Sequence, residues 1–268
     1  MLRLLLEHYL IQLLFTVGVV VLTGFTVAVT KRLLLKCCGS GAYCVEVVTG
    51  VIGTPIHELS HAFFCLLFGH RITGIRLWSP KAEDGDLGYV SHSYREGNLW
   101  QQIGNFFIGI APILGGSAVL FLLLWLLVPE TAGMILDAAR PAPPSDIAAV
   151  PRELLLQAWV VLKSLFSPKN FTRWDFYLYL LLAILIVLHM EISGSDLKSG
   201  LWGFSFVATL LLLLDTVLAI WFPQHIFQVT SVAVSLGAFL GSFFCLALCI
   251  DAVLLVIGLI TLAVRRRQ

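Results

Sequence analysis

Long apolar runs recur along this chain, and they constrain its fold more than any other feature. They lie at about residues 10–29, 44–68, 103–128, 174–190, 201–222 and 229–264. In hydrocarbon every backbone N–H and C=O must be satisfied within the segment, so such runs fold as helices. Polar or helix-breaking residues end several of them: Thr30-Lys31-Arg32, Pro129-Glu130, Pro223 and Arg265-Arg266-Arg267. The first run is too long for the apolar region of a cleavable signal peptide and lacks an A-x-A site, so it reads as a permanent first helix. The last exceeds one span and must tilt, extend past the bilayer, or break near Gly237 and Gly241. Six spans of ~20 residues use roughly 120 residues, which leaves modest loops in a chain of 268. The expected fold is a single-domain, all-α, multi-pass membrane protein with about six transmembrane helices and a membrane-associated β-hairpin.

Composition narrows the function classes. Apolar residues make up 59% of the chain and charged residues 12%, against roughly 25% charged in a soluble domain. With a mean hydropathy of +0.93, a soluble enzyme and a disordered tail are excluded. A net charge of +1 provides no basic footprint for nucleic acid. Cys65, Cys245 and Cys249 fall in apolar runs and suit packing. Cys37, Cys38 and Cys44 sit around a short basic loop and suit a structural or S-palmitoylated role. The terminal arginines favour cytoplasmic ends, although Lys31, Arg32 and Lys36 then lie on the opposite face.

Two loops are substantial. Residues 69–102 contain alternating stretches at 71–78 and 88–94, separated by the turn-rich segment 79–86, which is a hairpin pattern with a long turn. Residues 129–173 include Arg140-Pro141-Ala142-Pro143-Pro144-Ser145, followed at 146–166 by a short helix expected on the membrane surface.

The chemistry concentrates in Gly53-Thr54-Pro55-Ile56-His57-Glu58-Leu59-Ser60-His61. Histidines four apart on a helix stand above one another, so both imidazoles can reach one Zn2+ ion, with Glu58 beside it as a proton acceptor. The bland alternative is a set of satisfied polar residues in a bundle, but such residues are costly in an apolar span unless paired or metal-bound. A catalytic zinc site usually has three protein ligands. Asp196, in the segment from His189 to Lys198, is the candidate for the third, and Glu191 competes with it. Asp215 and Asp251 suit helix packing or support of a ligand. His8, His70, His92 and His225 lie at span ends or in loops, where histidine is ordinary.

This order resembles the site-2 protease family of intramembrane zinc metalloproteases: HExxH in a span, a hairpin, a small-residue span, then an aspartate on a later helix. The resemblance covers about residues 44–200. Gly109-Ile110-Ala111-Pro112-Ile113-Leu114-Gly115-Gly116 is loosely similar to the family's third-helix motif. Residues 189–196 stand where the family has an Asn/Pro-rich stretch ending in Asp-Gly; no proline is present here, and Leu197 follows Asp196. The resemblance implies metal ligands His57, His61 and Asp196, and Glu58 as the acid–base residue that takes a proton from water and passes it to the leaving amine. It places His189 where the family has an Asn. An oxyanion needs a donor besides zinc, for which His189 or Ser193 is the candidate; both are otherwise read as substrate-binding or supporting residues, with a ligand role as the alternative for His189. The implied partners are a membrane-protein substrate, cut in or near a transmembrane segment, and the lipid bilayer, with no nucleic acid. The hairpin edge is expected to take up an unwound substrate as an added strand. Three alternatives remain from the residues alone: a membrane zinc protease that trims peptides or prenylated tails, a non-catalytic metal-binding scaffold, and a transporter using His57, His61, Asp215 and Asp251 as an ion path.

Overall fold

The computed structural model describes residues 2–80, 86–138 and 150–265. Helix α1 (Leu2–Leu13) passes through a π-helical turn at Leu14–Gly18 into α2 (Val19–Cys38). The chain reverses in a 3-10 turn at Gly39–Gly41 and continues as α3 (Ala42–Leu67), which carries the HExxH motif. The reversal is evident from Lys31 Nζ, 3.4 Å from Glu46 Oε1; in an unbroken helix those residues would be separated by roughly 22 Å along the axis.

Strands β1 (Arg71–Arg76) and β2 (Tyr89–Ser93) follow and pair antiparallel, with Arg71 opposite Ser93, Arg76 opposite Tyr89, and a bulge between Ile72 and Gly74. The expected hairpin is present, with both strands slightly shorter than the alternating stretches. Helix α4 (Leu99–Gly109) starts at Asn98, whose side chain accepts from Gln101 N–H. It meets α5 (Ala111–Leu127) at a 61° bend, where Pro112 begins the second helix. Then come α6 (Pro129–Ala138), α7 (Val150–Leu165), α8 (Trp174–Val187), α9 (Gly194–Trp221) and α10 (Pro223–Arg265).

The protein is thus a predominantly helical, membrane-type chain with one small sheet. Among the described residues, three stretches are long and apolar enough to cross a bilayer: Leu5–Leu67, α9, and α10 from Pro223 to Ala263. The bent α4–α5 pair makes a fourth if it forms one span. Six spans are not reached on that measure. The second expected run lies inside the first stretch, beyond the reversal, and α8 has only 14 residues. Helix α10 runs unbroken through Gly237 and Gly241 for 43 residues, about 64 Å at 1.5 Å per residue, so the long last run extends and does not kink. A Cβ at Gly237 would collide with the backbone carbonyl of Phe15, so its absence lets the π-helical turn lie directly on α10.

Helix α8 is the centre of the core. Phe176, Tyr179, Ala183, Ile186 and Val187 are fully buried against Leu120 and Leu124 of α5 and against Phe243 and Ala247 of α10. The expected helix at 146–166 forms over 150–165, and its Val161 and Leu165 enter this same core. Residues 140–145 lie outside the described residues. Trp100, Trp174 and Trp221 remain exposed near helix ends, as interfacial tryptophans do.

Candidate metal centre

His57 and His61 occupy successive turns of α3, and their Nε2 atoms lie 3.2 Å apart. Each Nδ1 meets a backbone carbonyl: His57 at His189 O, 2.7 Å away, and His61 at Ile108 O, 2.9 Å away. A carbonyl only accepts, so each Nδ1 must carry the proton, and in the neutral rings each Nε2 is a bare lone pair. Two lone pairs facing each other at this distance repel unless a cation lies between them. The oxygen Oδ1 of Asp196 lies 3.6 Å from His61 Nε2, and the three donor atoms all fall within 4.8 Å of one another. Tetrahedral zinc with bonds of ~2.0–2.1 Å holds its nitrogen donors about 3.3 Å apart. The donor types, the tautomers and the spacing therefore fit a zinc ion. Among the described residues, no other group of three or more His, Cys, Asp or Glu side chains meets this spacing.

The carbonyl that orients His61 is available for a reason written in the sequence. Within a helix, Ile108 O would accept from the N–H of residue 112, but residue 112 is proline and has none. Helix α4 ends at Gly109, and the carbonyl, lacking the residue 112 donor, takes the imidazole instead. The carbonyl that orients His57 is free because α8 ends at Val187 and the chain unwinds beyond it. His189 is pressed onto α3 at Gly53, where a Cβ would meet the imidazole Cγ at 2.7 Å and collide with the Leu185 carbonyl. Its Nε2 lies 3.0 Å from Thr49 Oγ1. That hydroxyl already donates to Val45 O at 2.7 Å, so His189 Nε2–H is the donor.

Asp196 is fixed by the start of α9. Ser193 and Asp196 form a capping box: Asp196 N–H donates to Ser193 Oγ at 3.2 Å, and Ser193 N–H donates to Asp196 Oδ2 at 3.1 Å. The Ser193 hydroxyl also donates to Oδ2, at 2.5 Å. With Oδ2 held by the cap, Oδ1 faces His61. Helix α9 can come this close because Gly109 lacks a side chain; a Cβ there would meet the Asp196 carbonyl at 2.6 Å. His189 and Ser193 were expected as supporting or oxyanion-binding residues. Their observed hydrogen bonds are those of supports: His189 through its carbonyl to His57, and Ser193 through its hydroxyl to Asp196.

Glu58 is buried and lines a cavity of about 330 Å³ together with His57, His61 and Asp196. The hairpin covers it: a Cβ on Gly88 would meet Glu58 Cγ at 2.8 Å. The other acids weighed from sequence have other partners, although Glu191 lines the same cavity. Glu191 pairs with Lys31 Nζ at 2.6 Å. Asp215 accepts from Gln12 Nε2 at 3.2 Å, and Asp251 accepts from Thr30 Oγ1 at 2.5 Å. Sequence reasoning passed over His92, which lines the same cavity. The signal was the alternation of β2, which turns Val90 and His92 to its more buried side. The chain matches no protein-family profile, no curated protein and no solved structure.

Proposed function

We propose that this protein is an intramembrane zinc metalloendopeptidase of the kind found in the site-2 protease family, hydrolysing peptide bonds in or near transmembrane segments of membrane proteins. The observation that carries the reading is the pair of opposed, unprotonated Nε2 atoms with Asp196 Oδ1 beside them and Glu58 in the same cavity. His57, His61 and Asp196 would hold the ion. Zinc supplies Lewis acidity there, polarising a carbonyl and making water a better nucleophile at neutral pH. The Glu58 carboxylate accepts a proton from the attacking water as the water oxygen bonds to the scissile carbon. It returns that proton to the amine nitrogen as the C–N bond breaks.

In this reading the chain makes six passes: α1–α2, α3, the bent α4–α5 pair, α8, α9 and α10. The reversal after α2 and the burial of α8 support that count. An apolar groove of about 450 Å³, walled by Leu14, Val17, Phe106, Leu197 and Phe204, reaches Asp196 between the π-helical turn and α9. It offers a membrane-embedded segment a way to the centre. Strand β2 lines the cavity through Tyr89, Val90 and His92, which supports docking of an unwound segment along it. The hydrogen bonds of Asp215 and Asp251 with Gln12 and Thr30 count against an ion path through them. The ion pair of Glu191 with Lys31 counts against a glutamate third ligand.

The test is metal analysis of the purified chain beside His57→Ala, Asp196→Ala and Glu58→Gln, together with cleavage of a reporter transmembrane segment in vesicles. The expected result is about one zinc per chain in the wild type and in Glu58→Gln, loss of zinc in the other two, and loss of cleavage in all three variants. Cleavage that survives Glu58→Gln, or zinc retained by His57→Ala, would overturn the reading.

A further inference from the structure

A second pair of histidines includes one, His92, that lines the same cavity. His70 is buried, and its Nε2 lies 2.8 Å from the Gln101 carbonyl. The Tyr94 ring stacks on it at 5.2 Å between centroids. His70 Nδ1 lies 3.0 Å from His92 Nδ1. These contacts determine both tautomers. The Gln101 carbonyl only accepts, so His70 Nε2 carries a proton, and in the neutral ring His70 Nδ1 is bare. The proton between the two Nδ1 atoms then belongs to His92, and His92 Nε2 is left as a lone pair. Burial holds both imidazoles below the ordinary histidine pKa, and the neighbouring His70 ring lowers that of His92 further, so the neutral tautomers apply near neutral pH.

His92 lines the cavity that holds Glu58 and the three candidate ligands, but it is not among the side chains whose donor atoms converge for a metal. It cannot serve an oxyanion, because its one N–H is given to His70. What it offers the cavity is an acceptor of fixed orientation, and an extended peptide presents a backbone N–H at each residue.

We propose that His92 Nε2 accepts a hydrogen bond from a backbone N–H of the peptide substrate beside the metal centre, and that His70 is the positioning residue that fixes the tautomer. This inference rests on the peptidase reading and assigns a substrate-binding atom within it. The consequence is a preference for amide over ester linkages at one backbone position, because an ester has no N–H to donate.

The experiment uses the full zinc-loaded chain in detergent and two probes, a fluorescent leucyl-leucyl hydroxamate and its depsipeptide analogue with an ester in place of the internal amide. Wild type is expected to bind the amide probe about two- to tenfold tighter than the ester, the value of one neutral hydrogen bond. His92→Phe should erase the preference without loss of zinc, and His92→Gln, which retains an acceptor, should restore part of it. Nitrogen-15 spectra of histidine-labelled chain should show His92 Nε2 unprotonated in the wild type and mixed protonation in His70→Phe. An amide preference that persists in His92→Phe, no preference in a wild type that binds both probes, or a protonated His92 Nε2 would overturn the inference alone. Failure of the zinc-loaded wild type to bind either hydroxamate would overturn the peptidase reading and the inference with it.

Discussion

Pro112 leaves the Ile108 carbonyl without its helical donor, and His61 Nδ1–H takes that carbonyl at 2.9 Å. A helix break on one element thus sets the tautomer of a candidate ligand on another. Pro112→Ala supplies an N–H four residues after Ile108 and removes the steric cause of the 61° bend. The restored helical bond competes with His61 for the carbonyl. Loss of a carbonyl partner of a ligating histidine typically lowers metal affinity by about 10- to 100-fold. Competition with a chromophoric chelator should show a decrease of that size, with helical content unchanged by circular dichroism. Equal zinc affinity in the variant would show that the carbonyl is dispensable.

The other candidate histidine ligand, His57, depends on a missing side chain. Gly53 lets the His189 ring lie on α3, and this brings the His189 carbonyl to 2.7 Å from His57 Nδ1. In Gly53→Ala the new methyl group must displace the Leu185 carbonyl and the His189 ring. Overpacking of this kind costs about 1–3 kcal/mol. Thermal unfolding in detergent should register the destabilisation, and zinc affinity should fall with it as the carbonyl moves away. An alanine variant as stable and as avid as wild type would mean that α8 can shift freely, contrary to the burial of Phe176, Tyr179, Ala183, Ile186 and Val187 in the core.

What could be read from the sequence and what could not divide by the range of the interaction. His57, Glu58 and His61 were legible because one helical turn brings them together whatever the rest of the chain does. The hairpin was legible from alternation. Asp196 could be named as a candidate, but its approach to His61 depends on packing of α9 against Gly109, which is long-range information. Glu191, four residues past the end of α8, competes with it on sequence, and only the long-range approach of Lys31 of α2 gives Glu191 another partner. The supports at His189 and Ile108 act through backbone carbonyls, and a carbonyl has no residue type to recognise. Pro112 was the one local clue to them. His92 was passed over because a histidine in a loop region is ordinary, and only the pairing of β2 against β1 turns it toward the cavity.

The Ser193 hydroxyl has two tasks, capping α9 and holding Asp196 Oδ2. Ser193→Ala removes both. Loss of an N-cap costs about 1 kcal/mol, and a carboxylate left with only the backbone N–H of residue 193 at Oδ2 can rotate away from His61. The expected outcome is a modest fall in unfolding temperature with a roughly tenfold fall in zinc affinity. Ser193→Thr keeps the hydroxyl and should recover most of both. If alanine lowers stability but leaves zinc affinity untouched, the cap is structural and Asp196 is positioned by helix packing alone.

Away from the centre, Asp215 and Gln12 meet in the interior between α1 and α9, both fully buried. Gln12 Nε2 donates to Asp215 Oδ1 at 3.2 Å and to Thr230 Oγ1 at 2.9 Å. The remaining oxygens, Gln12 Oε1 and Asp215 Oδ2, have no partner. Two orphan acceptors in an apolar interior are costly. Asp215→Asn keeps one acceptor for Gln12 Nε2 and provides an amide N–H that can reach the other oxygen. The variant should be as stable as wild type or more stable by about 1 kcal/mol, with its zinc content unchanged. Asp215→Leu removes the acceptor and strands the Gln12 amide, so it should destabilise by about 1–3 kcal/mol. Thermal unfolding of the two variants side by side measures the difference. A destabilised asparagine variant would show that the carboxylate itself, and not a neutral hydrogen-bonding group of its shape, is what the three-helix contact requires.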